Sequence, residues 1–235
     1  MSAESKNGPE EFDLYAGAYD EALAQGLSVS GESKDFFAAG RVRWLVRCLD
    51  RLGAQPQRLL DFGCGTGSST PYLLELNTTC QVTGVEVSAK SLEVARRLHG
   101  SPRARFALSQ EWQPQGEVDL AFCNGVFHHI SLEKRAGCVD YVFKSLRSGG
   151  LFAFWENNPW NPGTRYVMSR IPFDRDAITL SCVEARRLLR AGGFEIVRAD
   201  SQFYFPRMLG WLRALEPGLA WLPLGAQYQV LCRKP

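Results

Sequence analysis

The chain has 235 residues, of which 45% are hydrophobic and 22% charged, and its formal net charge is +2. This length and composition are typical of a globular domain with its own core, and the small net charge without a long Lys/Arg block argues against a nucleic-acid partner. No apolar stretch approaches the roughly 20 residues of a membrane span, and the polar start does not resemble a secretory signal.

The predicted elements begin with two helices. Residues 1–11 are expected to be disordered, and a helical pattern follows as far as residue 26. After a Ser/Gly-rich break, a second helix is predicted over 36–53, because its apolar residues recur at three- and four-residue spacing and a glycine ends it. We interpret residues 12–55 as an N-terminal helical cover.

From residue 58 onward, strands and helices alternate. This alternation predicts a Rossmann-like, doubly wound α/β sheet of seven strands in a single domain over 12–235. The strands are predicted at 58–63, 81–87, 104–108, 117–126, 151–156, 194–205 and 228–234, and the helices at 68–76, 88–100, 132–150 and 181–193.

Three glycines, Gly63, Gly65 and Gly67, follow the first predicted strand in the stretch "LLDFGCGTG". In open α/β sheets, ligands bind at the carboxyl ends of the strands, beside the first strand–helix turn. The spacing lacks the last glycine of the dinucleotide fingerprint G-x-G-x-x-G, which weakens a nicotinamide interpretation. No G-K-[ST] follows, which excludes a phosphate-binding P-loop.

"LLDFGCGTG" resembles motif I of the class I S-adenosylmethionine (SAM) dependent methyltransferases. The stretches "VTGVEVSAKSLEVAR", "VDLAFCNGVFHHI", "SLRSGGLFAFWE" and "LLRAGGFEIV" are similar to later segments of that family, in the same order. The resemblance covers roughly residues 12 to 235. It implies SAM as cofactor and a sheet that ends in an antiparallel β-hairpin.

The resemblance also implies which residues contact the cofactor. Asp61 would orient the glycine loop and help hold the amino group of SAM, and Glu86 would accept both ribose hydroxyls. Ser109 and Gln110 stand where the family reads the adenine. The full set implied is Tyr15, Tyr19, Asp61, Gly63, Gly65, Thr66, Gly67, Glu86, Val87, Ser109, Gln110, Asn124 and Val126.

Three side chains are candidates for a catalytic proton acceptor. His128 and His129 follow the fourth predicted strand, and histidine has a pKa suited to a general base near neutral pH. Adjacent residues point in different directions, so at most one of the two is expected to face the acceptor, with His128 preferred. Glu156, at the end of the fifth strand, is the third candidate.

Two segments are predicted as insertions on the acceptor side, 157–180 and 204–226. The first contains two Asn-Pro pairs and is predicted to be a rigid, non-helical loop. The second is the most apolar part of the chain, either packed between the last strands or facing a lipid. Trp160, Arg165 and Tyr204 are the predicted substrate contacts.

The sequence therefore predicts a SAM-dependent methyltransferase that acts on an oxygen or nitrogen of a small molecule. Seven scattered cysteines without a C-x-x-C pair favour reduced thiols in the cytoplasm and no metal site. Neither nucleic acid nor stable membrane insertion is expected. Two alternatives stay open, an NAD(P)-dependent Rossmann oxidoreductase and a non-catalytic SAM-binding module.

Overall fold

The computed structural model describes residue 26, residues 30–171, residue 174 and residues 177–235. The segment 1–11, most of the first predicted helix, and the predicted cofactor contacts Tyr15 and Tyr19 lie outside these described residues.

The first complete helix, α1 (Lys34–Leu52), has the ends that its sequence predicts. The Ser33 side chain accepts a hydrogen bond from the backbone N–H of Phe36, which satisfies one of the free donors of the first turn. Gly53 ends the helix with a φ of 62°, a conformation that glycine adopts without steric cost.

A seven-stranded sheet forms the centre of the molecule and confirms the predicted fold class. The strand order is β3-β2-β1-β4-β5-β7-β6, in which β7 is antiparallel to both its neighbours and the other neighbouring pairs are parallel. The strands are β1 (Arg58–Phe62), β2 (Gln81–Glu86), β3 (Ala104–Leu108), β4 (Val118–Asn124), β5 (Leu146–Asn157), β6 (Glu195–Gln202) and β7 (Gln227–Arg233).

Helices cover both faces of the sheet, and each strand contributes alternate side chains to the two sides of the core. In β4, for example, Leu120 and Phe122 pack with α1, whereas Ala121 and Cys123 belong to the opposite apolar cluster. The remaining α-helices are α2 (Thr70–Leu74), α3 (Ala89–His99), α4 (Leu132–Ser145), α5 (Pro162–Arg170), α6 (Cys182–Ala191) and α7 (Glu216–Leu219).

Two predicted boundaries were wrong. The helix predicted over 132–150 ends at Ser145, because Leu146 is extended and pairs with Val118 at the start of β5. The loop predicted to be non-helical contains α5, in which Pro162 stands in the first turn, where its missing N–H costs nothing. The Asn161 side chain caps this helix by accepting from Thr164 N at 2.9 Å.

The insertion 204–226 also contains helices that were not predicted, the 3-10 helix Arg207–Leu215 followed by α7. No helix among the described residues is long and apolar enough to cross a bilayer. All seven cysteines are free thiols.

The parallel part of the sheet determines where the site lies. The carboxyl ends of β1, β2, β4 and β5 meet at one edge of the sheet, so Gly63, Glu86, Asn124 and Glu156 gather there although they are far apart in sequence.

Candidate functional site

The glycine loop leaves β1 in a conformation that side chains disfavour. Gly63, Gly65 and Gly67 have φ values of 70°, 53° and 80°. A Cβ on Gly63 would lie 2.4 Å from Cγ2 of Val126, whereas a Cβ on Gly65 would meet nothing within 4 Å. Gly63 therefore allows close packing, and Gly65 faces open space.

That open space is a cavity of about 510 Å³, called here the glycine-loop cavity. It extends from the loop, past the end of β2, to the end of β4. Nine of the predicted cofactor contacts line it, namely Gly63, Gly65, Thr66, Glu86, Val87, Ser109, Gln110, Asn124 and Val126.

Two further predicted cofactor contacts, Gly67 and Asp61, do not line this cavity. A Cβ on Gly67 would lie 2.9 Å from Cδ2 of His99 and 3.3 Å from Cβ of Ala95, so this glycine lets the loop pack against α3. Asp61 is buried behind the loop, and its Oδ2 accepts no hydrogen bond from the described residues. Burial and the nearby Glu86 raise the pKa of the Asp61 carboxyl to about 7, against the effect of Arg41.

The Glu86 carboxylate holds the loop together. Its Oε2 accepts from Gly65 N at 3.0 Å, and its Oε1 accepts from Val87 N at 2.7 Å and Ser88 N at 3.1 Å. A carboxylate has about four acceptor positions, so one remains for a ligand. In this conformation of the loop Glu86 keeps one acceptor position for a ribose hydroxyl, and acceptance of both hydroxyls stays a prediction.

These features fit SAM. The loop has room for a ligand against Gly65, and the Glu86 carboxylate at the end of β2 keeps one acceptor position for a ribose hydroxyl. Ser109 and Gln110 line the far end, where the hydroxyl of Tyr141 donates to the Ser109 carbonyl at 3.0 Å.

The contribution of Gly65 can be separated from that of backbone strain. Gly53 has a similar φ of 62°, also meets nothing within 4 Å of an added Cβ, and lies at the end of α1. We expect Gly53→Ala and Gly65→Ala to lower the free energy of unfolding by a similar amount, about 1–2 kcal/mol. Only Gly65→Ala should weaken SAM binding, measured by titration calorimetry, and equal binding by the two variants would contradict this assignment.

A second cavity of about 380 Å³, the aromatic cavity, opens on the other side of the β4 end. The Phe203 ring centroid lies 5.0 Å from that of Phe37 and 6.1 Å from that of Phe36, and all three rings line this cavity. Phe203 has a φ of 63°, which makes it the one non-glycine residue with positive φ in the described part of the chain. Such strained residues cluster at functional sites.

Of the predicted substrate contacts, only Tyr204 lines the aromatic cavity. Trp160 is 51% exposed, and Arg165, on the first turns of α5, is also exposed. Helix α5 presents Thr164, Val167 and Met168 to the cavity instead. The sequence alone does not show this inward face of α5, because the two Asn-Pro pairs of the segment favour a loop without a helical face.

The two cavities share a wall formed by Asn124, Gly125 and His129. Gly125 has a φ of 66° and donates its backbone N–H to the Trp155 carbonyl at 3.0 Å, which fastens the end of β4 to β5. Groups bound in the two cavities are therefore nearest to each other at these three residues.

The His128 ring is held between two buried carboxylates. Its Nδ1 lies 2.6 Å from Oε2 of Glu156, and its Nε2 lies 3.4 Å from Oδ1 of Asp174. Burial lowers the pKa of His128, but Glu156 and Asp174 outweigh it and raise the pKa to about 10. A ring that keeps its proton at neutral pH is unsuited to accept one, which argues against His128 as the general base.

Glu156 is similarly committed. Its Oε1 accepts from the backbone N–H of Phe127 at 2.7 Å, its Oε2 faces His128, and the residue is buried and lines neither cavity. The position argues against direct contact with an acceptor and assigns Glu156 to holding the turn after β4.

His129 differs from its neighbour. It lines both cavities, and its Nε2 lies 3.3 Å from Oδ1 of Asp174. Burial and the positive charge of His128 lower the pKa of His129, against the effect of Asp174. Its ring is therefore neutral at physiological pH, and the tautomer that donates Nε2–H to Asp174 has its lone pair on Nδ1.

The protonated His128 ring makes the free energy of unfolding depend on pH. His128 has a raised pKa, so its contribution to stability is complete below pH 6.5 and is lost as the pH rises toward 10. The titratable groups that face it are the carboxylates of Glu156 and Asp174 and the neutral ring of His129. In urea unfolding, Glu156→Gln should reduce the loss of unfolding free energy between pH 6.5 and 9.5, and an unchanged loss would contradict the ion pair.

Asp174 is the functional side chain that sequence analysis missed. It lies in "IPFDRDA", 18 residues beyond Glu156, where no periodicity or motif distinguishes it from the neighbouring acidic residue at position 176. Hydrogen bonds from His128 and His129 outweigh burial and lower the pKa of Asp174 to about 2.

Comparisons with known proteins agree with this geometry. Residues 60–152 match the methyltransferase domain family. Trans-aconitate 2-methyltransferase of Pseudomonas paraeruginosa (strain DSM 24068 / PA7) is 32% identical over 129 residues, which cover 53% of this chain and 46% of that protein. The matched part is less than half the length of the curated relatives.

Two solved structures have the same fold. A possible histamine N-methyltransferase from Thermotoga maritima has a TM-score of 0.65 and 17% identity, with coverage of 95% of this chain and 98% of its own. The plantazolicin methyltransferase BamL, in complex with a substrate analogue and SAH, has a TM-score of 0.63 and 15% identity, with coverage of 95% and 99%. The predicted resemblance is thereby confirmed for the fold: the chain has the fold of these methyltransferases, and residues 60–152 match the methyltransferase domain family. The SAH in the BamL structure agrees with the expected SAM cofactor.

Proposed function

We propose that this protein transfers a methyl group from SAM to an oxygen or nitrogen of a small, largely apolar molecule. The observation that carries the proposal is the shared wall. The glycine-loop cavity, which fits SAM, and the aromatic cavity, which suits an organic acceptor, meet at Asn124, Gly125 and His129.

Bound SAM supplies an electrophilic methyl group on a sulfonium sulfur. The chain supplies the arrangement: Glu86 and the glycine loop hold one partner, and the aromatic cavity holds the other with its reacting atom toward the shared wall. Most of the rate enhancement then comes from positioning and from the exclusion of water.

His129 is the proposed proton acceptor for an acceptor hydroxyl or amine. It is neutral at physiological pH, lines both cavities, and is oriented by Asp174 at 3.3 Å. Asp174 is a positioning residue, in the way that a carboxylate orients the base in other catalytic dyads. The Glu156–His128 pair also contacts Asp174, since Nε2 of His128 lies 3.4 Å from the same Oδ1.

The lining of the aromatic cavity favours a flat or partly apolar acceptor. Four phenylalanine rings and Met168 form much of its wall. Three cationic side chains, Lys34, Arg41 and Arg213, also line it, and Nη1 of Arg41 donates to Gln227 at 3.0 Å. Two carboxylates of the lining, Glu32 and Asp174, offset part of this positive charge, and Glu32 pairs with Arg213 at 2.9 Å. The aromatic rings therefore suit phenols and nitrogen heterocycles better than a tricarboxylate such as trans-aconitate, the substrate in the name of the Pseudomonas relative.

The test is a transfer assay with methyl-tritiated SAM and a panel of phenols, nitrogen heterocycles and carboxylic acids that includes trans-aconitate. We expect label in a phenol or heterocycle and none in trans-aconitate. Label in trans-aconitate alone would overturn the acceptor class. SAM binding without transfer to any member of the panel would instead support a non-catalytic binding module.

A further inference from the structure

One face of the protein carries apolar side chains that water does not favour. The apolar rim consists of Trp160, Met208, Trp211, Leu215, Trp221 and Leu224, and each of these side chains is between 51% and 84% exposed. Met208, Trp211 and Trp221 are the most exposed large apolar residues of the described chain, at 84%, 77% and 75%. A grouping of this kind marks an interaction surface rather than random exposure.

The rim is held in place by polar contacts, not by burial of its own side chains. The 3-10 helix Arg207–Leu215 has no buried residue. Its position is maintained by Arg213, whose Nε donates to the Phe205 carbonyl at 3.1 Å and whose Nη2 lies 2.9 Å from Oε1 of Glu32. The Tyr204 hydroxyl oxygen lies 2.6 Å from the carbonyl oxygens of both Leu219 and Leu222, and its one proton can be donated to either.

The two segments that carry the rim contact each other, and other residues of both segments line the aromatic cavity. The Asn161 side chain, next to Trp160, donates to the Leu224 carbonyl at 2.7 Å. Phe205, Pro206 and Arg213 line the cavity from one segment, and Gly163 lines it from the other. A surface that covered the rim would therefore also cover the entrance to the cavity.

The net charge of the two segments that carry the rim indicates what kind of partner surface they would bind. Residues 160–170 and 205–224 contain four arginines and one glutamate, a net charge of +3, although the whole chain carries only +2. Arg165, Arg170 and Arg207 are exposed. Tryptophan is enriched where apolar and aqueous phases meet, and arginine is attracted to anionic lipid.

We propose that the apolar rim docks this face peripherally on an anionic lipid surface, with the mouth of the aromatic cavity against the membrane. The docking does not depend on methyl transfer. One consequence rests on the proposed function: the acceptor is an amphiphile that enters the aromatic cavity from the lipid.

The test is co-sedimentation of the full chain with vesicles of phosphatidylcholine alone and with phosphatidylglycerol added. The wild type should bind the anionic vesicles and bind the neutral ones more weakly. Trp211→Ser/Trp221→Ser should reduce partitioning by about tenfold or more, since two exposed indole rings lose their contact with lipid. Leu98→Ser/Leu132→Ser removes two leucines that are 57% and 60% exposed on α3 and α4, and should bind as the wild type does.

Absence of binding by the wild type, or equal binding by the tryptophan variant, would overturn the proposal. A wild-type dimer that the tryptophan substitutions convert to a monomer, without vesicle binding, would overturn it in favour of a second copy of the chain. SAM titration on the same preparations keeps this outcome distinct from failure of the proposed function, because vesicle binding requires no cofactor.

Discussion

Glu86→Ala should weaken SAM binding by about 1.5–3 kcal/mol, roughly 10- to 150-fold in Kd, as expected for the loss of a hydrogen bond to a charged group. The carboxylate stands at the end of β2 and lines the glycine-loop cavity. It also accepts the Gly65 N–H, so its removal loosens the loop and takes away the ribose acceptor together. Isothermal titration with SAM measures the change.

Two variants separate these contributions. Glu86→Gln retains an acceptor oxygen without the charge and should lose less affinity than the alanine variant. Glu93→Ala removes an exposed carboxylate on α3 and should leave the affinity unchanged. If Glu86→Ala binds SAM as tightly as the wild type while folded, the ribose does not lie at the end of β2.

His129→Gln should lower kcat by about 10²- to 10⁴-fold, the range for loss of a general acid–base group, with little change in the Kd for SAM. The assay uses the acceptor that the panel identifies. The acid limb of the wild-type pH–rate profile should fall below pH 6.5, because burial and the charge of His128 lower the pKa of His129. Activity is therefore lost as the pH falls through the pKa of His129 and the ring gains a proton.

The variant Asp174→Asn tests whether Asp174 orients His129 or only stabilises the fold. Asp174 stabilises the protonated form of His129, so its neutralisation should lower the pKa of His129 further and move the acid limb to lower pH while kcat falls. A merely structural role would lower activity without moving the limb. His99→Gln changes the one histidine outside this group, which lines neither cavity, and serves as the matched control.

The same group suggests a metal control. Donor atoms of His128, His129 and Asp174 lie within 4.8 Å of one another, a spacing that a metal ion can also use. Because hydrogen bonds of 3.3–3.4 Å account for this spacing, dialysis against EDTA should leave activity unchanged. Activity that is lost on dialysis and restored by zinc would contradict His129 as the base.

The sheet and the cofactor side of the site could be predicted from sequence because their signals are local. A buried apolar run such as "RLLDF", followed by glycines, has few structural solutions, and the carboxyl ends of parallel strands necessarily meet. The positions of Gly63, Glu86 and Asn124 at the ends of parallel strands were therefore enough to predict that they line one cavity.

The acceptor side could not be predicted in the same way, because its contacts depend on tertiary packing. Asp174 lies more than 40 residues from the two histidines in sequence, and Phe203 lies more than 160 residues from Phe36 and Phe37, yet each contacts them in the fold. His128 was preferred over His129 because nothing in "FHHI" indicates that two carboxylates would enclose the first ring. Pairings of this kind leave no periodic pattern in the chain.

The most direct test of the account is titration of the purified wild-type protein with SAM and with S-adenosylhomocysteine. We expect micromolar binding of both compounds at one site per chain, because the glycine-loop cavity suits their shared adenosyl group. Absence of binding of either compound, by protein shown to be folded, would mean that the glycine loop holds a different ligand, and the proposed methyl transfer would be contradicted.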